Sequence, residues 1–157
     1  MNLTANSPDL EALHKLNNEH AEELSDIDLQ HFRWLIEHAF FASSINKTEA
    51  FLIAFDQNAA YDSPNFLWFK KRFQKFVYVD RVATAIRARG QGHAIALYDV
   101  LFAQARAAGH TMVACEINQI PPNPLSVGLH SRFGFVKMGE AELTDRGKTV
   151  GYYVKNI

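Results

Sequence analysis

Residues 87 to 92 read Arg87-Ala88-Arg89-Gly90-Gln91-Gly92, and His93 and Ala94 follow directly. Two glycines one residue apart let a backbone turn sharply and present its amides without Cβ obstruction, which suits a phosphate. Spacing separates the motifs that compete for this reading. A P-loop needs a Gly-Lys-Ser/Thr ending, absent here. A dinucleotide fingerprint needs a small residue where Ile95 stands, because the helix must pack closely at that point. What remains is Arg-x-x-Gly-x-Gly, with donors from about Arg89 to Ala94 surrounding a pyrophosphate at the positive end of a helix. A pyrophosphate without a second nucleotide half is what coenzyme A offers.

Two carboxylates also stand in apolar runs. Glu116 lies between Cys115 and Ile117, where an unpaired carboxylate is costly to bury, so it needs a partner or a cavity. Arg81 is one available cation. Strand alternation sets Phe76, Tyr78, Asp80 and Val82 on one face and Arg81 on the other, so Asp80 and Arg81 are not expected to neutralise each other.

The elements that must position these groups follow from periodicity. The run FVYVDRVAT, Phe76 to Thr84, is dense in β-branched and aromatic residues and predicts a strand ending just before the glycines. Ala94, Leu97, Tyr98, Leu101, Phe102, Ala105 and Ala108 then trace a helical stripe from His93 to Ala108, stopped by Gly109. Thr111 to Ile117 supplies a second strand, which a right-handed crossover sets parallel to the first, and the prolines at 121, 122 and 124 end it. Asn123 caps a short helix from about Pro124 to Arg132. Phe135 to Leu143 and Thr149 to Lys155 flank an Asp-Arg-Gly turn as an antiparallel hairpin. Earlier in the chain, Ala50 to Phe55 reads as a buried strand and Asn58 to Pro64 as a turn. Ile27, Phe32, Leu35, Ile36 and Ala39 form an amphipathic helix ending near Phe40, with Ser25 and Asp28 as a weak capping box. Leu10 to Leu24 fits both periods, and a short strand ending at Leu16 is the reading adopted.

The segment RVATAIRARGQGHAIALYDVLFAQARAAG resembles the signature motif of the GNAT superfamily of N-acetyltransferases, Gln/Arg-x-x-Gly-x-Gly/Ala. Asn123-Pro-Leu-Ser126, then Leu129-His130 and Gly134-Phe135, resembles the family's Asn-x-x-Ala-x-x-Phe-Tyr and Gly-Phe at matching spacing. Together they cover roughly the C-terminal half, and LNNEH, YDSPNFLWF and FVYVDRV are similar to a bacterial branch of predicted acetyltransferases. The resemblance implies a single α/β (α+β) domain over residues 1–157, with a mixed, twisted sheet whose central parallel strands splay apart. It implies an acetyl-CoA-dependent N-acyltransferase in which an amine attacks the thioester directly. Arg87, Ala88, Arg89, Gly90, Gln91, Gly92, His93 and Ala94 would cradle the pyrophosphate. Val82, Ala83 and Thr84 would pair with the pantetheine arm, and Asn123, Ser126 and His130 would border the cofactor.

Acyl transfer to an amine needs a neutral nucleophile, a stabilised oxyanion and a proton for the departing thiolate. Glu116 and Asp80 are the candidate bases, each with a structural role as the alternative. His130 stands where the family commonly has a proton-donating tyrosine, and a packing histidine is its alternative role. A non-catalytic coenzyme A sensor is the alternative function.

Composition narrows the classes. The 157 residues carry a net charge of −1, which gives no global pull toward nucleic acid or an anionic membrane. The Lys70 to Arg72 patch among aromatics is read as a lid beside the acceptor site rather than an RNA contact. No apolar run reaches spanning length and the N-terminus lacks signal-peptide character, so a cytoplasmic protein without membrane contact is expected. The lone Cys115 reads as a buried thiol, and the histidines show no metal-ligand spacing. The acceptor is a small-molecule or peptide amine, and a homodimer is compatible with the resemblance.

Overall fold

The β-branched run ahead of the glycines forms β3 (Val77–Thr84), and the stripe after them forms α5 (His93–Ala107), leading into β4 (Met112–Ile120). The crossover makes β3 and β4 parallel neighbours, as the strand-glycine-helix-strand order requires. All other pairings are antiparallel. The computed structural model describes residues 1–157, and its remaining elements are α1 (Leu10–Glu19), α2 (Ala21–Leu24), α3 (Leu29–His38), β1 (Phe41–Ile45), β2 (Ala50–Asp56), α4 (Pro64–Lys70), α6 (Pro124–Arg132), β5 (Val136–Leu143) and β6 (Lys148–Asn156). The sheet order is β1-β2-β3-β4-β6-β5.

Both faces of the sheet are covered. Phe51, Ile53, Phe55, Phe76, Tyr78, Ala114 and Tyr152 turn to the face packed by α1, α3 and α4. Leu52, Val77, Val79, Val113, Cys115 and Ile117 turn to the face packed by α5. Strands buried on both sides read as continuous apolar runs, which is why β2 and β3 stood out in the sequence.

The first helix corrects the strand expected to end at Leu16. Leu10, Leu13, Leu16 and Asn17 are buried, and Ala12, which alternation would have buried, is exposed. The cap of α3 is Asp28 itself, whose side chain accepts from His31 N–H at 2.7 Å. Ser25 instead ends α2 at φ 66. α3 stops at His38, and Phe41 opens β1, a strand not anticipated.

Aromatic side chains interlock under α4. Phe66 and Phe69 are fully buried, and Phe69 meets Phe76, Tyr78 and Tyr152. Trp68 stacks on Tyr152 at 4.3 Å between centroids, with the Arg72 guanidinium 3.8 Å above it. Gly139 passes beneath that indole so closely that a Cβ would lie 2.7 Å from it. This helix covers the sheet and borders no cavity at the site, which corrects the lid reading of Tyr61 to Phe73. No helix is long and apolar enough to cross a membrane. Replacing Phe69 by Ala is expected to lower unfolding free energy by about 3–5 kcal/mol, measured by chemical denaturation.

Candidate active site

The site begins with one extra residue. Strands β3 and β4 share only the pairs Val77↔Val113, Tyr78↔Ala114 and Val79↔Cys115. The next residue, Asp80, is unmatched on the other side too, because β2 pairs Ala54 with Val79 and Ile53 with Arg81. A bulge of this kind bends its strand and increases its twist, and β3 parts from β4 here. The bulge also resets the alternation. Tyr78 and Ala83 share one face, whereas Val82 joins Val77 and Val79 on the other. Val82 is therefore not on the face of Tyr78. Asp80 and Arg81, expected to point apart, form a buried ion pair at 3.1 Å.

Beyond the bulge, Ala85 N–H donates to Glu49 O at 2.7 Å, back toward the β2 side. Alternation then directs the backbone groups of Ala83 to β2 and those of Val82 and Thr84 into the opening. A cavity of about 440 Å³ occupies that opening, and every candidate residue except Arg87 and Gln91 lines it. Gly90 and Gly92 lie at φ +78 and +80, and a Cβ built on either meets no atom within 4 Å. The loop is thus shaped by a conformation that disfavours side chains, and it leaves room for a ligand. Gly92 caps α5 with no side chain, so the first-turn amides face the cavity, with Arg89 and Arg132 on its wall. Arg87 lies outside the cavity wall, and its guanidinium reaches outward to Glu49 at 3.1 Å. Gln91 is exposed. Glu49 also accepts from His93 Nε2 at 2.9 Å, tying the β1–β2 turn to the start of α5.

The two carboxylates differ in how fully they are engaged. Asp80 accepts from the Tyr61 hydroxyl at 2.9 Å on one oxygen and from Arg81 on the other. Arg81 Nη1 also donates to Asn17 Oδ1 and Ser25 O, at 2.8 and 3.0 Å. Arg81 is thus the partner of Asp80, and Glu116 has another. The Tyr78 hydroxyl donates to Glu116 Oε2 at 2.5 Å, and the half-buried carboxyl opens onto the cavity. Loss of solvent, with the Asp80 charge adding to it, pushes its pKa up to about 8.

His130 lies across the sheet, buried with both ring nitrogens engaged. Nδ1 faces Ser126 O at 2.7 Å and must donate, since a carbonyl only accepts. Nε2 in the neutral ring then carries the lone pair, and the Tyr98 hydroxyl lies 2.6 Å from it. Burial lowers the His130 pKa and holds the Tyr98 hydroxyl well above the ordinary phenol range. The proton between the two rings therefore rests on the phenol oxygen. Tyr98 looked like one more residue of the α5 core stripe, and nothing local marks it as a residue that also lines the cavity. Tyr78 and Glu49 were missed likewise, because their roles depend on contacts 38 residues or more away. No group of three or more His, Cys, Asp or Glu is arranged to hold a metal.

Because the Glu116 pKa is raised in the folded protein, the native state binds more protons than the unfolded chain between the usual carboxyl value and about 8. The contribution of this group to stability is present below that window and is lost as pH rises through it. Glu116→Gln is expected to flatten this decline, raising the melting temperature relative to the parent chain above pH 8, as followed by calorimetry.

No family model matches the chain, and no curated protein matches its sequence. Solved structures do match across its full length. Ard1 from Thermoplasma volcanium superposes with TM-score 0.77 at 13% identity, covering 100% of this chain and 95% of that one. The ribosomal-protein-S18-alanine N-acetyltransferase from Escherichia coli gives 0.70 at 14%, covering 100% and 92%. A chain of the NatC complex bound to Gag peptide and CoA gives 0.73 at 12%, covering 100% and 96%. With its six-stranded mixed sheet, its single parallel pair opened at Asp80 and its glycine turn into α5, the chain has the fold of the GNAT N-acetyltransferases.

Proposed function

We propose that the chain is an acetyl-CoA-dependent N-acyltransferase that moves an acetyl group to an amine by direct attack. The observation that carries this reading is the opening of β3 from β4. It brings an unpaired strand edge, a side-chain-free helix start and a carboxyl of raised pKa onto one cavity. Coenzyme A fits these parts. Its pyrophosphate suits the amides from Gly90 to Ala94, with Arg89 and Arg132 nearby, and its two-amide pantetheine arm suits the backbone of Val82 and Thr84. When bound, acetyl-CoA supplies a thioester carbonyl activated toward an amine.

The residues of the chain divide the remaining work. The Val82 and Thr84 amides orient the arm and donate to the oxygen on which negative charge develops. Glu116, once ionised, takes a proton from the incoming amine directly or through water, and its raised pKa matches that task better than an ordinary carboxylate. Asp80, engaged on both oxygens, holds Arg81 and sets the charge beside Glu116. On departure of the thiolate, the Tyr98 hydroxyl would turn its proton from His130 Nε2 to the sulfur, and the phenolate would recover one from solvent that enters as the product leaves. His130 aligns that hydroxyl. The structural neighbours include a chain crystallised with a peptide and an N-acetyltransferase of a ribosomal protein, so peptide N-terminal amines head the acceptor panel.

Acetyl-CoA is expected to raise the melting temperature, and Gly92→Val to abolish that shift while the protein stays folded. Absence of binding by any acyl-CoA would overturn the reading. Thiol release with the amine panel should show kcat/KM rising with pH through about 8, as Glu116 ionises. Tyr98→Phe should lower kcat about 10²- to 10⁴-fold with little change in coenzyme A affinity. Binding without turnover for every amine would leave a non-catalytic coenzyme A module.

A further inference from the structure

The strand edge that faces the cavity is not wholly free. Thr84 O, one of the backbone acceptors directed into the opening, already receives a hydrogen bond from His20 Nε2 at 3.1 Å. A carbonyl only accepts, so the ring donates from Nε2, and its Nδ1 turns toward the Glu23 carboxylate 4.0 Å away. Both His20 and Thr84 line the same cavity. His20 is the non-helical junction between α1 and α2, at φ −106 and ψ 30.

The segment that follows is held differently from the rest of the fold. None of the four residues of α2 is buried, and Leu24 alone makes a half-buried apolar contact with the core. Its other ties are polar. Asn118 Nδ2 and Lys148 Nζ both donate to Glu22 O, and Arg81 reaches Ser25 O just beyond. A short segment held mainly by partly exposed hydrogen bonds opens locally at small cost. Through Glu23 and Leu24 it forms the wall of the cavity on the Glu116 side of the sheet.

We propose that His20 is a positioning residue that occupies, in the free protein, the hydrogen-bond place on Thr84 O that an amide of the incoming ligand takes, so that ligand entry displaces His20 and unpins the α2 wall. The inference rests on the coenzyme A reading above. An N–H arriving from the cavity approaches the same carbonyl from the same side as the imidazole. The exchange of one hydrogen bond for another returns little, so the bond to His20 opposes binding. Once free of Thr84, the junction carries Glu23 and Leu24 with it and reshapes the space in which an acceptor amine would lie.

The test is coenzyme A affinity by titration calorimetry on the full chain, with folding checked by melting temperature. His20→Ala is expected to bind about three- to ten-fold more tightly than the parent chain. His20→Gln, whose side-chain amide can donate to the same carbonyl, should return affinity toward the parent value. Hydrogen exchange gives a second readout, in which coenzyme A speeds exchange of the Ala21–Leu24 amides in the parent chain, while His20→Ala shows fast exchange without ligand. Unchanged or weaker binding by His20→Ala, or protection of these amides by coenzyme A, would overturn the proposal and leave the coenzyme A reading standing. A parent chain that binds no coenzyme A would overturn both.

Discussion

A single unmatched residue governs the site. Asp80 has no partner on β2 and lies one step past the last pair between β3 and β4. A strand that gains one residue against its neighbour must bend, and the bend here ends the parallel ladder. Without it, β3 and β4 would continue side by side and the backbone of Val82 and Thr84 would be consumed in sheet. The bulge also puts Asp80 and Arg81 together, and their ion pair is satisfied by Tyr61, Asn17 and Ser25 from three other segments. A buried ion pair with so many partners avoids the cost that an isolated one would carry. The same charge, close to Glu116, helps keep that carboxyl protonated at neutral pH.

The opening joins the two faces of the sheet, which otherwise hold separate cores. On one face stand the two carboxyls, with tyrosine hydroxyls donating to each. On the other stand Tyr98, His130 and Cys115, in a drier environment that keeps the imidazole neutral and the phenol protonated. On the proposed reading, a proton acceptor and a proton donor thus approach the same point from opposite sides and do not neutralise each other. The glycine turn completes the geometry from the end of the sheet, and Glu49 fixes it by holding His93 and Arg87.

What the sequence revealed is what local chemistry determines. Gly90 and Gly92 need positive φ, Asn123 caps the helix it precedes by accepting from Ser126 N–H, and the β-branched density of β3 and the stripe of α5 are strong periodic signals. What it concealed depends on distant partners or on broken periodicity. Leu10, Ala12 and His14 mimic alternation, and only the core beneath α1 selects the helical face. β1 has Phe41 and Ile45 at its ends with Ala-Ser-Ser between, too little apolar density to stand out. The run through Asp80 looks like one regular strand, and the slip that reverses its second half becomes visible only against β2. Tyr98 and His20 were hidden for a related reason, since a hydroxyl on a core stripe and a histidine between two helices gain meaning from what lies across the cavity.

The separation of the two faces has an evolutionary consequence. The glycine turn, Tyr98 and His130 belong to α5, α6 and the strand ends, whereas His20, Glu23 and Leu24 wall the other side on a short segment held by largely polar contacts. Substitutions in residues 21 to 24 can therefore accumulate with little disturbance to the packing beneath α5. On the proposed reading, a lineage carrying this domain could exchange one amine for another by redrawing that wall, while inheriting the machinery for thioester chemistry intact.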